Sequence, residues 1–213
     1  WKQPVENLVY ADVDGHIGHQ AAGAVPRRLN WSGIVPVPGY TGAFEWDGLL
    51  SLNELPHVFN PVTGYIATAN HCVLTPDDPP HIGYDWSPDF RYRRIDEILR
   101  EDHRFTVDDF KRLHEDVVSL PARELIDLFR RFHFDTDPLL SASTMLFAWD
   151  GALTPASPAA ALYEMWVYKL VEDVIRPIVP DSLWDVYKGY YGVDVLLNLL
   201  KYPDTRFGVN PED

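Results

Sequence analysis

The spacing of apolar residues changes about 90 residues into the chain. Before that point the apolar runs are short and turn residues separate them, whereas after it apolar residues recur every three or four positions. The first pattern is typical of short strands and the second of one face of an α-helix. The sequence therefore predicts an α+β fold, with a strand- and loop-rich part over residues 1–90 and a mostly helical part over residues 91–213.

One β-hairpin is predicted in the first part. An apolar run over residues 5–11 is followed by the turn signal Asp12-Val13-Asp14-Gly15, and residues 16–20 form the returning strand. Residues 33–64 are rich in proline and glycine, which favours ordered loops. The segment GYIATA at residues 64–69 is predicted to be another short strand.

The second part predicts a series of amphipathic helices with recognisable ends. Thr106 is a typical N-cap, and Asp109 three residues later completes a capping box. Pro121 and Pro158 suit the first turns of two later helices. The helices are predicted over residues 94–101, 106–119, 121–132, 139–149, 158–177 and 181–200, with Gly189 or Gly192 as the position of a break in the last one.

Composition narrows the classes of partner. The chain has 32 acidic and 18 basic residues and a formal net charge of −14, whereas a nucleic-acid-binding domain usually needs a basic face. Apart from the short run Arg91, Arg93 and Arg94 there is no basic cluster, so no nucleic-acid partner is expected. No run approaches the twenty or so apolar residues of a membrane span. The single Cys72 excludes an intramolecular disulfide.

Sequence motifs for catalytic and metal sites give few candidates. The eight histidines form no HExxH motif, no CxxC pair is present, and no serine stands in a GxSxG elbow. The histidines are therefore interpreted as scattered, hydrogen-bonded side chains, and the stripe of Tyr163, Trp166 and Leu170 as core packing. Asn70, which follows GYIATA, either forms a turn or points its amide into a cleft, and the residues alone leave both interpretations open.

Four segments, in order, carry a resemblance to a known family. They are NLVYADVDGHIGHQAAGAVPRR, PVPGYTGAFEWDGLLSLNELPHVFNPVTGYIATANH, RYRRIDEIL and FAWDG. The chain resembles the penicillin acylase family, which includes penicillin G, cephalosporin and acyl-homoserine-lactone acylases, strongly over residues 5–120 and more loosely over 121–175. The resemblance implies that the strands belong to the αββα sandwich of an N-terminal-nucleophile (Ntn) hydrolase. It also implies that the chain is an internal piece of the β-subunit.

The resemblance also implies a mechanism. In this family an N-terminal serine attacks an amide carbonyl with its own α-amino group as the base, and the acyl-enzyme is then hydrolysed. An asparagine amide and a backbone N–H hold the oxyanion. The resemblance carries the oxyanion-hole role onto Asn70, at the end of the GYI…N segment, and the role of the orienting arginine onto Arg91, four residues before Ile95. The alternative for Arg91 is a surface charge beside Asp89.

The family's nucleophile has no match in these residues. Ser32, Ser51 and Ser87 lack the family's Ser-Asn start, and the family places that serine far upstream of NLVYAD. We therefore expect the chain alone to be inactive, with the α-subunit and the N-terminal part of the β-subunit as its partners. The substrate implied is a linear amide, either a β-lactam side chain or an N-acyl-homoserine lactone, and the location implied is secreted or periplasmic. The alternative is a catalytically inactive scaffold or binding module that retains the fold.

Calcium is the one cofactor that the resemblance implies for the parent enzyme. The family's most downstream carboxylate ligand is expected near residues 80–82, where this sequence has no acid, although Asp77, Asp78 and Asp85 are near. No cofactor and no metal ligand is therefore assigned in this chain.

Strand edges lead to a further expectation. If the chain is part of a larger sandwich, the hairpin at residues 5–20 and the strand at residues 64–69 lack neighbouring strands, and such edges present free N–H and C=O groups. We expect the chain to expose an unusual amount of apolar surface or to self-associate. The side chains that need cover are those of Leu8, Val9, Tyr10, Ile17, Tyr65 and Ile66.

Overall fold

A computed structural model of the chain describes residues 1–74, 82–101, 103–187 and 192–202. The chain forms two compact units, Trp1–Glu101 and Asp102–Asp213. Short antiparallel strands come first and helices follow, as the sequence predicts. The first helix belongs to the first unit, so the change of secondary structure near residue 90 precedes the division between the units.

The predicted hairpin is confirmed. Strand β1 (Glu6–Ala11) pairs antiparallel with strand β2 (Ile17–Ala22). Asp12 builds the turn between them, because its Oδ1 accepts a hydrogen bond from the backbone N–H of His16 at 2.9 Å. Gly15 has a φ of 90°, a left-handed conformation that glycine adopts without steric cost.

Three further short strands complete the sheets of the first unit. Strand β5 (His57–Phe59) pairs with β2, which gives the sheet order β1-β2-β5, and β3 (Pro26–Arg28) pairs with β4 (Trp46–Leu49). The prediction of loops throughout residues 33–64 is therefore wrong at β4 and β5. Strands of three or four residues are too short to show an alternating pattern in the sequence.

Residues 64–69, predicted as a strand, pair with no strand of the part of the chain that the structure describes. Gly64, with a φ of 75°, ends a turn in which its N–H donates to the carbonyl of Pro61 at 3.0 Å. The segment then continues without a sheet partner, and the Tyr65 carbonyl accepts instead from the hydroxyl of Thr63 at 3.1 Å. The strand prediction is wrong because an apolar pattern does not by itself supply a hydrogen-bonding neighbour.

The core of the first unit is small. Ala21, Val25, Leu50 and Leu55 form one buried cluster, and Ile82 packs against it. Two of the four buried members, an alanine and a valine, have small side chains, so this cluster excludes little apolar area from water.

The six side chains that were expected to need cover fall into two groups. Three are half-buried: Ile17, Tyr65 and Ile66. The other three lie on the edge strand β1 and are 48%, 61% and 52% exposed: Leu8, Val9 and Tyr10. Apolar side chains are therefore exposed along β1, and self-association stays a prediction.

Helices make up most of the second unit. Helix α2 begins after the predicted capping box of Thr106 and Asp109, but it ends near residue 114 instead of residue 119. It ends early because Val118 forms an antiparallel bridge with Ala152, which requires extended backbone. The described helices are α1 (Phe90–Leu99), α2 (Val107–His114), α3 (Leu120–Phe129), α4 (Leu139–Phe147), α5 (Pro158–Ile175), α6 (Asp181–Tyr187) and α7 (Val193–Lys201).

Most other helix predictions are confirmed at their first residues. Pro121 and Pro158 lie in the first turns of α3 and α5, where Ser119 and Ser157 are the N-caps. Helix α3 ends three residues earlier than predicted. The predicted break at Gly192 is confirmed, because this glycine occupies the N-cap position of α7, whereas Gly189 lies outside the described residues.

The second unit has a larger apolar core. Helix α5 packs against α4 and α7, and α3 packs against α7. The predicted stripe is confirmed as packing, because Tyr163 is 1% exposed and Trp166 meets Phe129 edge to face at 4.7 Å. In the described part of the chain, no helix has both the length and the apolarity of a membrane span.

Candidate functional site

Helix α1 begins at Phe90, four residues earlier than predicted, and this start places Arg91 in its first turn. Asp89 occupies the N-cap position, and its carbonyl accepts from the N–H of Arg93 at 2.8 Å. The sequence pattern missed this start because the first apolar repeat of the helix begins only at Ile95. The earlier start brings Arg91 into the helix, on which the geometry of the site depends.

Asn70 lies in a turn and not at the end of a strand. Its φ is 61°, in the left-handed region that asparagine adopts more readily than most residues. Its carbonyl accepts from the N–H of Ser87 at 2.9 Å, and its side chain is exposed next to the buried Ala69. The expectation that a strand positions Asn70 is therefore wrong, and the backbone of Ser87, 17 positions further along the chain, holds its carbonyl instead.

Arg91 holds the asparagine turn by two hydrogen bonds. Its Nη2 donates to the carbonyl of Ala69 and to Oδ1 of Asn70, each at 2.9 Å. A guanidinium group can only donate, so it fixes the amide of Asn70 with its oxygen toward Arg91. The Nδ2 end, which carries two N–H donors, then faces away from the guanidinium.

The alternative for Arg91, a surface charge beside Asp89, agrees with its exposure, but the ion pair that Asp89 forms among the described residues is with another arginine. Asp89 lies 3.6 Å from Arg93, one turn further along α1, and both side chains are about half exposed. Arg91 instead contacts the turn of Asn70. The two residues that the resemblance singles out are thus in direct contact, although they are 21 positions apart in the chain.

A cleft of about 690 Å³ opens beside the turn. One wall is a stripe of α1 with residues four apart, Tyr92, Asp96 and Arg100, and another includes Thr68 and His71. Thr68, His71 and Tyr92 lie within two positions of Asn70 or Arg91, which themselves do not line the cleft. The exposed amide of Asn70 therefore lies next to the cleft in the chain without forming its wall.

His71 connects the turn to α1 a second time. Its ring stacks on Tyr92, with centroids 3.8 Å apart and planes 15° from parallel. Burial lowers the pKa of His71 below its usual value, and the nearby carboxylate of Asp89 opposes that shift only in part. The pKa of His19, on the same cleft, is also lowered, first by burial and then by His71 and His57. Both rings therefore favour the neutral form.

A hydrogen-bonded cluster that the sequence pattern did not reveal lies on the same wall. The Tyr65 hydroxyl donates to Oδ1 of Asp96 at 2.5 Å, and Nε of Arg100 donates to the Tyr65 oxygen at 3.3 Å and pairs with Oδ2 of Asp96 at 2.9 Å. The only signal in the sequence is the spacing of Tyr92, Asp96 and Arg100 on one helical face, and it depends on the correct start of α1.

The described residues were also compared with the geometry of a metal site. Among the described residues, no group of three or more His, Cys, Asp or Glu side chains is placed to hold a metal ion. Asp85 is exposed, and Asp77, Asp78 and the expected ligand positions 80–81 lie outside the described residues.

Comparison with known proteins gives a consistent result. The whole chain, residues 1–213, matches the family model of penicillin amidase. Penicillin acylase 2 proenzyme of Pseudomonas sp. (strain SE83) is 35% identical over 164 residues, which are 76% of this chain and 21% of that protein. Acyl-homoserine lactone acylase QuiP of Pseudomonas fluorescens (strain Pf0-1) is 27% identical over 183 residues, 79% of this chain and 22% of that protein. The chain thus spans about a fifth of the length of these relatives.

The fold matches as well. A thermostable penicillin G acylase from Alcaligenes faecalis superposes with a TM-score of 0.77 at 26% identity, over 95% of this chain and 42% of that chain. The predicted fold class, short antiparallel strands followed by helices, is confirmed by this match. The family model covers the whole chain and the structural match covers 95% of it, so the chain belongs to the penicillin amidase family.

Proposed function

We propose that the protein containing this chain hydrolyses a linear amide and releases a carboxylic acid and an amine, with Asn70 as a donor to the oxyanion. The observation that supports this most is the pair of 2.9 Å hydrogen bonds from Arg91 to the Ala69 carbonyl and to Oδ1 of Asn70. The substrate is the side-chain amide of a β-lactam or an N-acyl-homoserine lactone, the two classes that the names of the relatives give.

The proposed chemistry uses a serine nucleophile outside residues 1–213. Its hydroxyl oxygen attacks the amide carbonyl, its α-amino group takes the hydroxyl proton, and that proton leaves with the amine when the C–N bond breaks. Water then hydrolyses the ester that remains. In each attack the carbonyl oxygen becomes negatively charged, and a neutral amide N–H can stabilise that charge without a change of protonation.

Arg91 has two effects in this scheme. By occupying Oδ1 it fixes which end of the Asn70 amide is available, so that Nδ2 needs no reorientation as charge develops. A donor bonded to Oδ1 also polarises the amide and strengthens its N–H groups as donors, because hydrogen bonds in a chain reinforce one another. Arg91 is therefore proposed as the orienting residue and not as an acid or a base.

The test is a substitution in the full-length protein, assayed on phenylacetyl, glutaryl and long-chain acyl amides. Asn70→Ala is expected to lower kcat by about 10²–10³-fold, as loss of an oxyanion donor does. Asn60→Ala is the matched control, because Asn60 is exposed, has a φ of 47°, and accepts through Oδ1 from the N–H of Ile17 at 2.9 Å. It should lose stability but keep kcat. Equal kcat values for the two variants would exclude the oxyanion role.

Residues 1–213 by themselves are expected to show no turnover. Two of the serines already serve local structure: the Ser51 hydroxyl donates to Glu54 at 2.9 Å, and the Ser32 oxygen accepts from the N–H of Ile34 at 3.2 Å. If residues 1–213 hydrolyse an amide faster than a boiled control, and Asn70→Ala abolishes that hydrolysis, the proposal that the nucleophile lies outside these residues is wrong. If the full-length wild-type protein hydrolyses none of the amides, the alternative of an inactive scaffold is favoured instead.

A further inference from the structure

The segment that carries Asn70 is held by side chains of α1 at both of its ends. Residues 65–69 have no strand partner in the described part of the chain, so no ladder fixes their position. At the far end Arg91 holds the Ala69 carbonyl and the Asn70 amide. At the near end the Tyr65 hydroxyl donates to Asp96 at 2.5 Å.

The near end is a charge-assisted hydrogen bond between partly buried side chains. The side chain of Asp96 is 15% exposed, and a hydrogen bond to a carboxylate in such surroundings is stronger than one in water. Arg100 compensates the partly buried charge of Asp96 by its contact with Oδ2 at 2.9 Å, while its own side chain stays 70% exposed. The pKa of Tyr65 is raised, first by the bond to Asp96, so the hydroxyl keeps its proton and stays a donor.

The two anchors belong to one rigid element. Asp96 follows Arg91 by five positions on α1, a rise of about 7.5 Å along the helix axis. A helix is rigid along its axis, so the distance between the anchors is constant and the segment that joins them is held at two fixed points. Release of the near anchor would free the backbone before Ala69, so that the contacts with Arg91 and Ser87 alone would have to keep the amide of Asn70 in its orientation.

We infer that Tyr65 and Asp96 are positioning residues, which hold the segment of residues 65–70 on α1 so that the Nδ2 donor of Asn70 points at the reacting carbonyl. This inference rests on the proposed function, because it assigns Asn70 the role of oxyanion donor. Tyr65 and Asp96 need no contact with the substrate.

The experiment is a double-mutant cycle in the full-length protein. Tyr65→Phe removes only the hydroxyl and is expected to lower kcat about 3–30-fold, with KM changed by less than about twofold. If Tyr65 acts through Asn70, the double variant Tyr65→Phe/Asn70→Ala loses no more kcat than Asn70→Ala alone. A role in general stability would instead make the two effects multiply, which would overturn the inference.

Tyr10→Phe is the matched control. The Tyr10 hydroxyl also donates to an aspartate, Asp12, but this pair lies in the hairpin turn of the same unit. Its loss should leave kcat unchanged, and a fall equal to that of Tyr65→Phe would overturn the inference. If Tyr65→Phe does not accumulate as folded protein, the same cycle with Asp96→Asn decides between the two outcomes.

The kcat values of the two single variants distinguish failure of the oxyanion role of Asn70 from failure of the positioning role of Tyr65. If Asn70→Ala leaves kcat unchanged, the proposed oxyanion role fails and the inference fails with it. If Asn70→Ala lowers kcat by the expected factor while Tyr65→Phe matches the wild type, the function stands and only the positioning role of Tyr65 and Asp96 is excluded.

Discussion

The two units of the chain are stabilised by different kinds of contact. Of the buried apolar residues in the described part of the chain, fourteen lie in Asp102–Asp213 and seven in Trp1–Glu101. The second unit packs leucine, isoleucine, valine and tyrosine side chains between helices. In the first unit, polar side chains also fix several backbone segments, for example Asn60 on the N–H of Ile17 and Arg91 on the carbonyl of Ala69. The second unit adds a few contacts of this kind to its larger core, for example Arg130 on the carbonyl of Phe147.

This difference bears on where a catalytic amide can be placed. A core tolerates small shifts of its side chains, because apolar contacts are not directional. A hydrogen bond requires a defined distance and angle, so a segment fixed by such bonds has a defined orientation. Asn70 lies in the unit in which polar contacts set the backbone, and there a change of one side chain can alter orientation more than stability.

The largest effect on stability is expected in the helical core. Leu125 in α3 is fully buried, and Leu125→Ala should lower the free energy of unfolding by about 2–5 kcal/mol through lost burial and a residual cavity. Leu55→Ala, in the small cluster of the first unit, should cost an amount in the lower half of that range. Urea unfolding followed by circular dichroism measures both, with the exposed Val107→Ala as the control.

An equal or larger loss for Leu55→Ala would break the comparison, since it would mean that the small cluster holds the first unit as firmly as the helical core holds the second. In the full-length protein, folded Leu125→Ala should keep its kcat, because Leu125 belongs to the unit that does not carry Asn70.

The sequence was informative where local chemistry decides the structure. The capping box of Thr106 and Asp109 and the prolines at the starts of α3 and α5 are short-range signals, and the structure has helix starts at each. The hairpin turn is of the same kind, because Asp12 and Gly15 form it within a few residues. These features need no knowledge of the rest of the fold.

The sequence was uninformative where a distant partner decides. Strands β4 and β5 exist because other strands pair with them, whereas no strand of the described residues pairs with residues 64–69. The catalytic roles expected of Asn70 and Arg91 came only from the family resemblance, and their contact joins residues 21 positions apart. The bond from Tyr65 to Asp96 spans 31 positions, and the one local signal, the spacing of Asp96 with Tyr92 and Arg100, depends on the correct start of α1.

A smaller effect is expected at a helix start. The Ser119 oxygen accepts from the N–H of Ala122 at 3.2 Å, so Ser119→Ala removes the cap of α3 and should cost about 0.5–2 kcal/mol of unfolding free energy. Ser143→Ala is the control, because that hydroxyl only donates to the Leu140 carbonyl inside α4. If Ser119→Ala lowers the unfolding free energy as much as Leu125→Ala does, local polar contacts stabilise the helical unit as strongly as its core.

The exposed edge of the strand-rich unit predicts weak self-association of residues 1–213. Strand β1 lies at the edge of its sheet, and Val9 is 61% exposed there. Val9→Lys should weaken association about tenfold by placing a charge on the shared edge. Sedimentation velocity over a range of concentrations measures this, and Val107→Lys in α2 is the control. A wild-type chain that stays monomeric throughout would exclude pairing through β1.

The smallest expected effect is a dependence of the unfolding free energy on pH, caused by two histidines of the strand-rich unit. Burial lowers the pKa of His71 and of His19 below their usual 6.5. As the pH falls through about 6.5, these histidines bind protons in the unfolded chain but remain neutral in the folded one. The unfolded state then binds more protons, so stability decreases as the pH falls. The decrease stops once the folded protein is protonated as well, and above pH 7.5 or so neither ring contributes.

The test compares the unfolding free energy of the wild type and of His71→Gln at several pH values between about 5 and 8. The variant loses the stacking on Tyr92 at every pH, and that constant offset is not informative. The informative quantity is the slope below pH 6.5, which should be shallower in His71→Gln, whereas His114→Gln at an exposed position of α2 should keep the slope of the wild type. Parallel slopes for wild type and His71→Gln would mean that His71 gains its proton equally well in both states. In that case the contact between the asparagine turn and α1 would be open to water, and the polar contacts of this unit would fix its backbone less firmly than the comparison with the helical core requires.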